Sequence, residues 1–339
     1  MSPRGGIISA LQILYLDFSP FSRPLRGSRK KRGIVLYSVI DIGSNTVRLA
    51  IYRLDPGSGL TSILNNKYTV GLAAYVDKSG AMAPEGTDRL VEVMGRFRAA
   101  LDLLPGCECF PFATASLRNI TNREEVLESV RERAGFDIRV LSGYEEAMLD
   151  YRGAVRSMPG EEGLLVDVGG GSTELVFFKA GRAAAARSVP LGSLSLFNKC
   201  VAGIIPTASE LAALKAEARR ALLSALPDSQ GCPAQPMCGV GGTARGVLAL
   251  YRGMAGEPPK EGYGTQFFLK LLRQAQDSPK KLTRRILKIA PERVHTMLPG
   301  VALLSAAAEI YGSRTVVTSP YGVREGYLLS ILEGRGVRI

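Results

Sequence analysis

Asp41 and Asp167 each close an apolar, β-rich run, and each is followed at once by a turn of glycine and small polar residues. The two phrases, VIDIGSNTVRLAIYR from Val39 to Arg53 and LVDVGGGSTELVFFK from Leu165 to Lys179, align without gaps at an offset of 126 residues. Gly43 then falls on Gly169, Thr46 on Ser172 and Leu49 on Leu175. A glycine lets the backbone approach an anion closely, and the N–H groups and hydroxyls of Ser44, Asn45 and Thr46 can donate to it. Gly169, Gly170, Gly171 and Ser172 offer the same in the second copy, where three consecutive glycines have no packing value in a sheet. An aspartate beside such a turn suits Mg²⁺, which takes one or two protein carboxylates and completes its shell with phosphate oxygens and water. Two such hairpins facing one another make a cleft with an anion-binding turn on each wall, fitted to a substrate that carries phosphates.

Other chemistry-bearing residues sit in strand-to-helix connections. FATASLRNITN, Phe112 to Asn122, places Thr114, Ser116, Arg118 and Asn122 in one such link, and Arg118 can grip a phosphate bidentately. LSGYEEAMLDYRGA, Leu141 to Ala154, puts Glu145 and Glu146 in a first helical turn, where the dipole already favours negative charge. Hydrolysis of a phosphoanhydride without a cysteine motif needs a carboxylate to orient and deprotonate water. Glu174 either holds a metal-bound water or is an exposed strand residue. GVGGTARG (Gly239 to Gly246) and SPYGVREG (Ser319 to Gly326) are further glycine-bearing turns, each weak by itself. His295, the one histidine of the chain, reads as structural.

The elements that must position these residues alternate as in an α/β protein. Strands are expected at Ile34–Asp41, Val47–Leu54 and Leu60–Leu64, a helix over Pro84–Leu104, a strand at Cys109–Ala113 and a helix over Asn122–Ala134. A strand at Ile138–Leu141 and a helix over Tyr144–Val155 follow. The second half repeats the scheme with strands Gly163–Asp167, Glu174–Lys179 and Arg182–Val189, helices near Leu194–Cys200 and Ala208–Leu226, and a strand at Pro236–Val240. Helices from about Ala244, Tyr263, Ser278 and Pro299, the strand Arg314–Thr318 and a last helix from Val323 complete it. SMPGEEG, Ser157 to Gly163, is the expected boundary. The domains are thus a basic, disordered leader at 1–33, an N-terminal domain at 34–156 and a C-terminal domain at 157–339.

With 339 residues, 46% of them hydrophobic, the chain can bury two cores. Residues 1–32 hold seven basic residues and one acidic residue, half of the net charge of +12. Their charge follows the apolar run Ile7–Leu16 rather than preceding it, unlike a secretory signal. Five irregularly spaced cysteines and one histidine speak against a disulfide framework or a zinc site. No stretch is long and apolar enough to span a membrane. A cytoplasmic protein is expected, with no nucleic-acid or membrane partner and room for a homodimer.

Taken in order, DIGSNTVRL, ATASLRNITN, SGYEEA, VDVGGGSTEL, GVGGTA and YGVREG resemble the exopolyphosphatase / guanosine pentaphosphate phosphohydrolase family, from about Ile34 to the C-terminus. The resemblance implies two ribonuclease-H-like domains of the actin, sugar kinase and heat-shock ATPase type with a cleft between them. By motif it implies Glu146 as catalytic base, Asp167 as the Mg²⁺-linked carboxylate and Glu174 as its supporting acid. Phosphate contacts are implied for Ser44, Asn45, Gly170, Gly171, Ser172 and Arg118. Two departures stand out. Many members carry an arginine where this chain reads TVGLAAYVD around Gly71, a contact that Lys67 or Arg48 would have to supply. The histidine-rich helical extension of long members is also missing, so short polyphosphate chains are expected as substrates. The expected activity is Mg²⁺-dependent removal of the terminal phosphate of inorganic polyphosphate. Guanosine pentaphosphate (pppGpp) is the nearest alternative, and a sugar or acetate kinase and a non-catalytic phosphate sensor are more distant ones.

Overall fold

The computed structural model describes residues 35–55, 59–158, 160–223, 225 and 236–337. The leader expected at 1–33, the strand start at Ile34 and part of the Ser157–Gly163 boundary lie outside the described residues.

The duplication seen in the sequence is a duplication of topology. In the first half β1 (Leu36–Ile42), β2 (Thr46–Asp55) and β3 (Gly59–Thr69) form an antiparallel meander. Helix α1 (Pro84–Asp102) then leads to β4 (Glu108–Ala113), which pairs parallel to β1. The short α2 (Ala115–Arg118) and α3 (Arg123–Ala134) lead to β5 (Arg139–Val140), parallel to β4, and α4 (Gly143–Ala154) follows. The sheet order is β3-β2-β1-β4-β5. In the second half β6 (Gly163–Val168), β7 (Thr173–Lys179) and β8 (Arg182–Val189) repeat the meander. Helices α5 (Ser193–Cys200) and α6 (Ala208–Leu223) precede β9 (Met237–Val240), parallel to β6. Next come α7 (Gly241–Ala255), the two-residue β10 (Tyr263–Gly264), α8 (Gln266–Asp277), α9 (Pro279–Ile289) and α10 (Met297–Ile310). Last are β11 (Thr315–Thr318), parallel to β9, and α11 (Val323–Gly334). This sheet runs β10-β11-β9-β6-β7-β8, the order of the first with one added edge strand. The β10 edge carries no apolar run of its own, which is why it left no mark in the sequence.

Helices α4 and α11 join the halves. One side of α4 packs Ala147, Tyr151 and Ala154 against Leu165, Val176 and Phe178 of the second sheet. Tyr327, Leu328, Ile331 and Leu332 of α11 sit in one core with Val39, Ala50, Phe110 and Phe112 of the first sheet. The last helix, placed in the C-terminal domain by a boundary at 157, therefore shares the core of the N-terminal sheet. The two helices cross at glycines: a Cβ on Gly326 would lie 1.9 Å from the Leu149 carbonyl oxygen, and one on Gly153 would lie 2.1 Å from that of Gly322. Backbone meets backbone there.

Candidate active site

The Gly43–Thr46 and Gly169–Ser172 turns are closed by equivalent hydrogen bonds, Gly43 N–H to the Thr46 carbonyl at 3.0 Å and Gly169 N–H to the Ser172 carbonyl at 3.0 Å. Each is also held from outside. Val70 and Gly71 N–H donate to the Asn45 carbonyl, and Leu194 and Ser195 N–H, from the start of α5, donate to the Gly170 carbonyl. The two turns face each other closely enough that a Cβ on Gly171 would lie 2.6 Å from Ser44 Oγ. They share one cavity of about 160 Å³, lined by Ser44, Asn45, Thr46, Gly169, Gly170, Gly171 and Ser172, and also by Asp41, Asp167 and Glu146. Only glycine fits at Gly241, on the cavity wall at the start of α7: its φ is +76°, and a Cβ would sit 1.9 Å from Asp167 Oδ1.

Glu145 and Glu146, adjacent in sequence, are separated in role by the pitch of α4. Glu145 completes a capping box with Ser142, accepting from its N–H at 2.7 Å, and is paired with Arg139. Glu146 points into the cavity and is buried. Burial pushes its carboxyl up to about 7 against the pull of Arg118, and Asp167 and Asp41 push in the same direction as burial. A carboxylate with that value is suited to taking a proton from water near neutral pH.

Arg118 does not line the cavity. Its Nη1 donates to Glu146 Oε2 at 2.9 Å and to the Leu141 carbonyl at 3.0 Å, which ties α2 to the start of α4. The expected phosphate contact of Arg118 is not seen here; its guanidinium instead holds Glu146 at the edge of the cavity. Thr114 does line the cavity, whereas Ser116 is bound to the Ile42 carbonyl and Asn122 to the backbone of Met82. Glu174 stands opposite Asp167 across the β6–β7 ladder, buried behind the lining and accepting from Ser188 Oγ at 2.7 Å. The equivalent pair in the first half is Asp41 opposite Arg48, so the duplication carries an acid facing an acid in one copy and an acid facing a base in the other. His295 packs edge-on against Phe197, a structural contact.

Four arginines complete the cavity: Arg48 from β2, Arg245 from α7, Arg293 from the turn after α9 and Arg324 from α11. Arg245 and Arg324 lie in the two glycine-bearing phrases that looked weak in isolation, and Arg48 entered only as a substitute for the missing arginine near Gly71. Arg293 had no motif to mark it; its Nη2 occupies the space that a side chain on Gly242 would need. Arg324 approaches Asp41 at 3.9 Å, yet its Nη1 is buried without a hydrogen-bond partner. Burial and the neighbouring Arg324 bring Arg48 down to about 10, and burial also lowers Arg245 and Arg293. A bound polyanion would add counter-charge to guanidiniums crowded in this way.

The sequence also hid Asp150, one turn beyond Glu146 on the same face of α4. It is 1% exposed, and neither oxygen receives a hydrogen bond from a donor. Burial, then Asp167, Glu174 and Glu146, hold its carboxyl well above the usual range. Its i, i+4 spacing from Glu146 was the available signal.

Comparison with known proteins gives this geometry its family. The sequence model of the Ppx/GppA phosphatase family matches residues 50–334. This chain belongs to that family. Its relatives include an uncharacterised protein of Streptomyces coelicolor, 30% identical over 87% of this chain and 90% of its own, and exopolyphosphatase 1 of Mycobacterium leprae, 28% identical over 87% and 89%. The Ppx/GppA family member of Aquifex aeolicus superimposes with a TM-score of 0.72 at 25% identity, covering 89% of this chain and 99% of its own. An exopolyphosphatase from Cytophaga hutchinsonii shares the fold with a TM-score of 0.76 at 22% identity, over 88% and 98%. As a Ppx/GppA phosphatase the chain is a phosphoanhydride hydrolase, with a mixed α/β fold built on two sheets. None of the described helices is long and apolar enough to cross a membrane.

Proposed function

We propose that this Ppx/GppA phosphatase removes the terminal phosphate of inorganic polyphosphate and releases orthophosphate. The observation that carries the reading is the single cavity in which both glycine turns, four arginines and Glu146 converge. The turns hold the terminal phosphoryl group from opposite sides. Arg48, Arg245, Arg293 and Arg324 hold the following phosphates and offset charge that builds on the bridging oxygen. Glu146, steadied by Arg118, accepts a proton from the attacking water. Phosphoryl transfer of this kind is governed by positioning and charge neutralisation rather than by covalent catalysis.

The residues present fit Mg²⁺. Asp41 and Asp167 both face the cavity, while among the described residues no three acidic, histidine or cysteine side chains could hold an ion by themselves. That donor set matches an ion that takes one or two carboxylates and borrows phosphate oxygens for the rest. Asp41 and Asp167 would hold it, with Glu174 supporting Asp167 from behind, and when bound it would neutralise phosphate charge.

The test is phosphate release from polyphosphate and from guanosine pentaphosphate, side by side, by the wild type and by Glu146→Gln. The expected result is release from polyphosphate in preference to the nucleotide, and a loss of about 10²–10⁴ in turnover for the variant with substrate binding retained. Equal release by variant and wild type would remove Glu146 from its role. Preference for the nucleotide would transfer the reading to pppGpp.

A further inference from the structure

A polyphosphate longer than the cavity must continue over the surface beyond it. Helix α9, PKKLTRRILKI, has five cations and no acid in its eleven residues. Its buried side is Leu282 and Ile286. At about 100° per residue, Lys280, Lys281, Arg284, Arg285 and Lys288 fall within an arc of about 140° on the other side, over a length of about 12 Å. Lys280, Lys281, Arg284 and Lys288 are exposed, and Arg285 is half-buried. None of the five enters an ion pair among the described residues.

That arrangement does not serve the stability of the helix. Lys280 and Lys281 stand in the first turn, where the dipole disfavours positive charge, and no acid or side-chain cap offsets them. Several surface cations elsewhere in this half are paired: Lys199 and Arg220 with Glu217, Arg219 with Glu309 and Arg252 with Glu257. Others, such as Lys215, Lys260 and Arg314, are single among the described residues, whereas α9 gathers five on one face. The unpaired stripe is also close to the site along the chain. Lys288 is five residues from the cavity-lining Arg293, a separation of at most about 18 Å along the chain.

We propose that the basic stripe of α9 binds the distal phosphates of a long polyphosphate whose end occupies the cavity. This rests on polyphosphate being the substrate, and it revises the expectation that short chains are preferred. Each contact releases counterions, so the effect shows as affinity for long chains and as salt dependence.

The experiment compares the wild type with the quadruple variant Lys280→Gln, Lys281→Gln, Arg284→Gln, Lys288→Gln, using tripolyphosphate and long-chain polyphosphate. The expected result is a rise of about tenfold or more in KM for the long chain, with a shallower dependence on salt. Kinetics on tripolyphosphate should be unchanged, which also reports an intact fold. A charge-retaining variant, Lys280→Arg, Lys281→Arg, Lys288→Arg, should behave as wild type on both substrates. Unchanged long-chain KM in the glutamine variant overturns the stripe and leaves the activity standing. Wild type that releases phosphate from neither substrate overturns both. Anionic vesicles or RNA that bind the stripe more tightly than long-chain polyphosphate would reassign the surface to that partner and overturn the proposal.

Discussion

Arg118 and burial act on Glu146 in opposite directions, and the balance leaves its carboxyl at about 7. A base works only when ionised, so kcat/KM should climb as pH rises through that value and level off above it. Removing Arg118 removes the group that lowers the value, so Arg118→Met should move the acid limb of the profile to higher pH. A limb that stays in place while KM alone rises would return Arg118 to the phosphate. Asp150 gives a second pH-dependent prediction, this one in stability. Its folded-state value is raised, by burial first and by Asp167, Glu174 and Glu146 next, so the folded state binds the proton more tightly than the unfolded chain does. Stability is then lost as pH rises above 3.8, the ordinary value of an aspartic acid, toward the raised one. Asparagine keeps the shape and cannot ionise. Asp150→Asn should match wild type in Tm at the acid end and exceed it increasingly toward neutral pH, as followed by thermal unfolding in a pH series. A constant Tm difference across the series would show that Asp150 does not titrate on unfolding.

The elements were largely legible because each half alternates apolar strands with amphipathic helices, and because the Asp–turn–strand phrase is written twice. β8 was read at its full length, and α1, β4 and α4 to within two residues. What escaped depends on chain paths rather than on patterns. Helix α7 begins at Gly241, three residues earlier than its apolar periodicity suggests, because a glycine-rich first turn has no side chains to register a period. Arg293 reaches the cavity only through the packing of its turn on α7, and the placement of α11 on the first sheet is a tertiary choice. The α4–α11 crossing shows the same limit: Gly153 and Gly326 look like ordinary helical glycines, yet backbone atoms lie where their Cβ atoms would stand. Gly153→Ala must separate the helices or distort one of them. Overpacking of this kind costs about 1–3 kcal/mol, so denaturant unfolding should show a midpoint shifted down by a corresponding amount. A midpoint equal to wild type would mean that the crossing yields without cost.

At the scale of the whole molecule, the question is what holds the two halves around the cavity. Lys67 on β3 reaches Glu292 beside Arg293 at 3.4 Å, an ion pair between the halves. Both partners are partly solvated, and such pairs contribute about 0–1 kcal/mol, too little to fix a closed cleft. The α4–α11 core joins the halves whether or not substrate is bound, and on the proposed function an anion gripped by both glycine turns would add to it. The consequence is measurable with Glu146→Gln, which should bind without turning over. Tripolyphosphate at about 100 times its Kd should stabilise that variant by about 2.7 kcal/mol by mass action. Because one ligand touches both halves, and α4 and α11 tie each sheet to the other, the gain should appear as a shift of a single unfolding transition in calorimetry. Two resolved transitions, with only one moved by tripolyphosphate, would mean that one turn binds the anion alone. The facing of Ser44 and Gly171 would then be a feature of packing rather than of recognition.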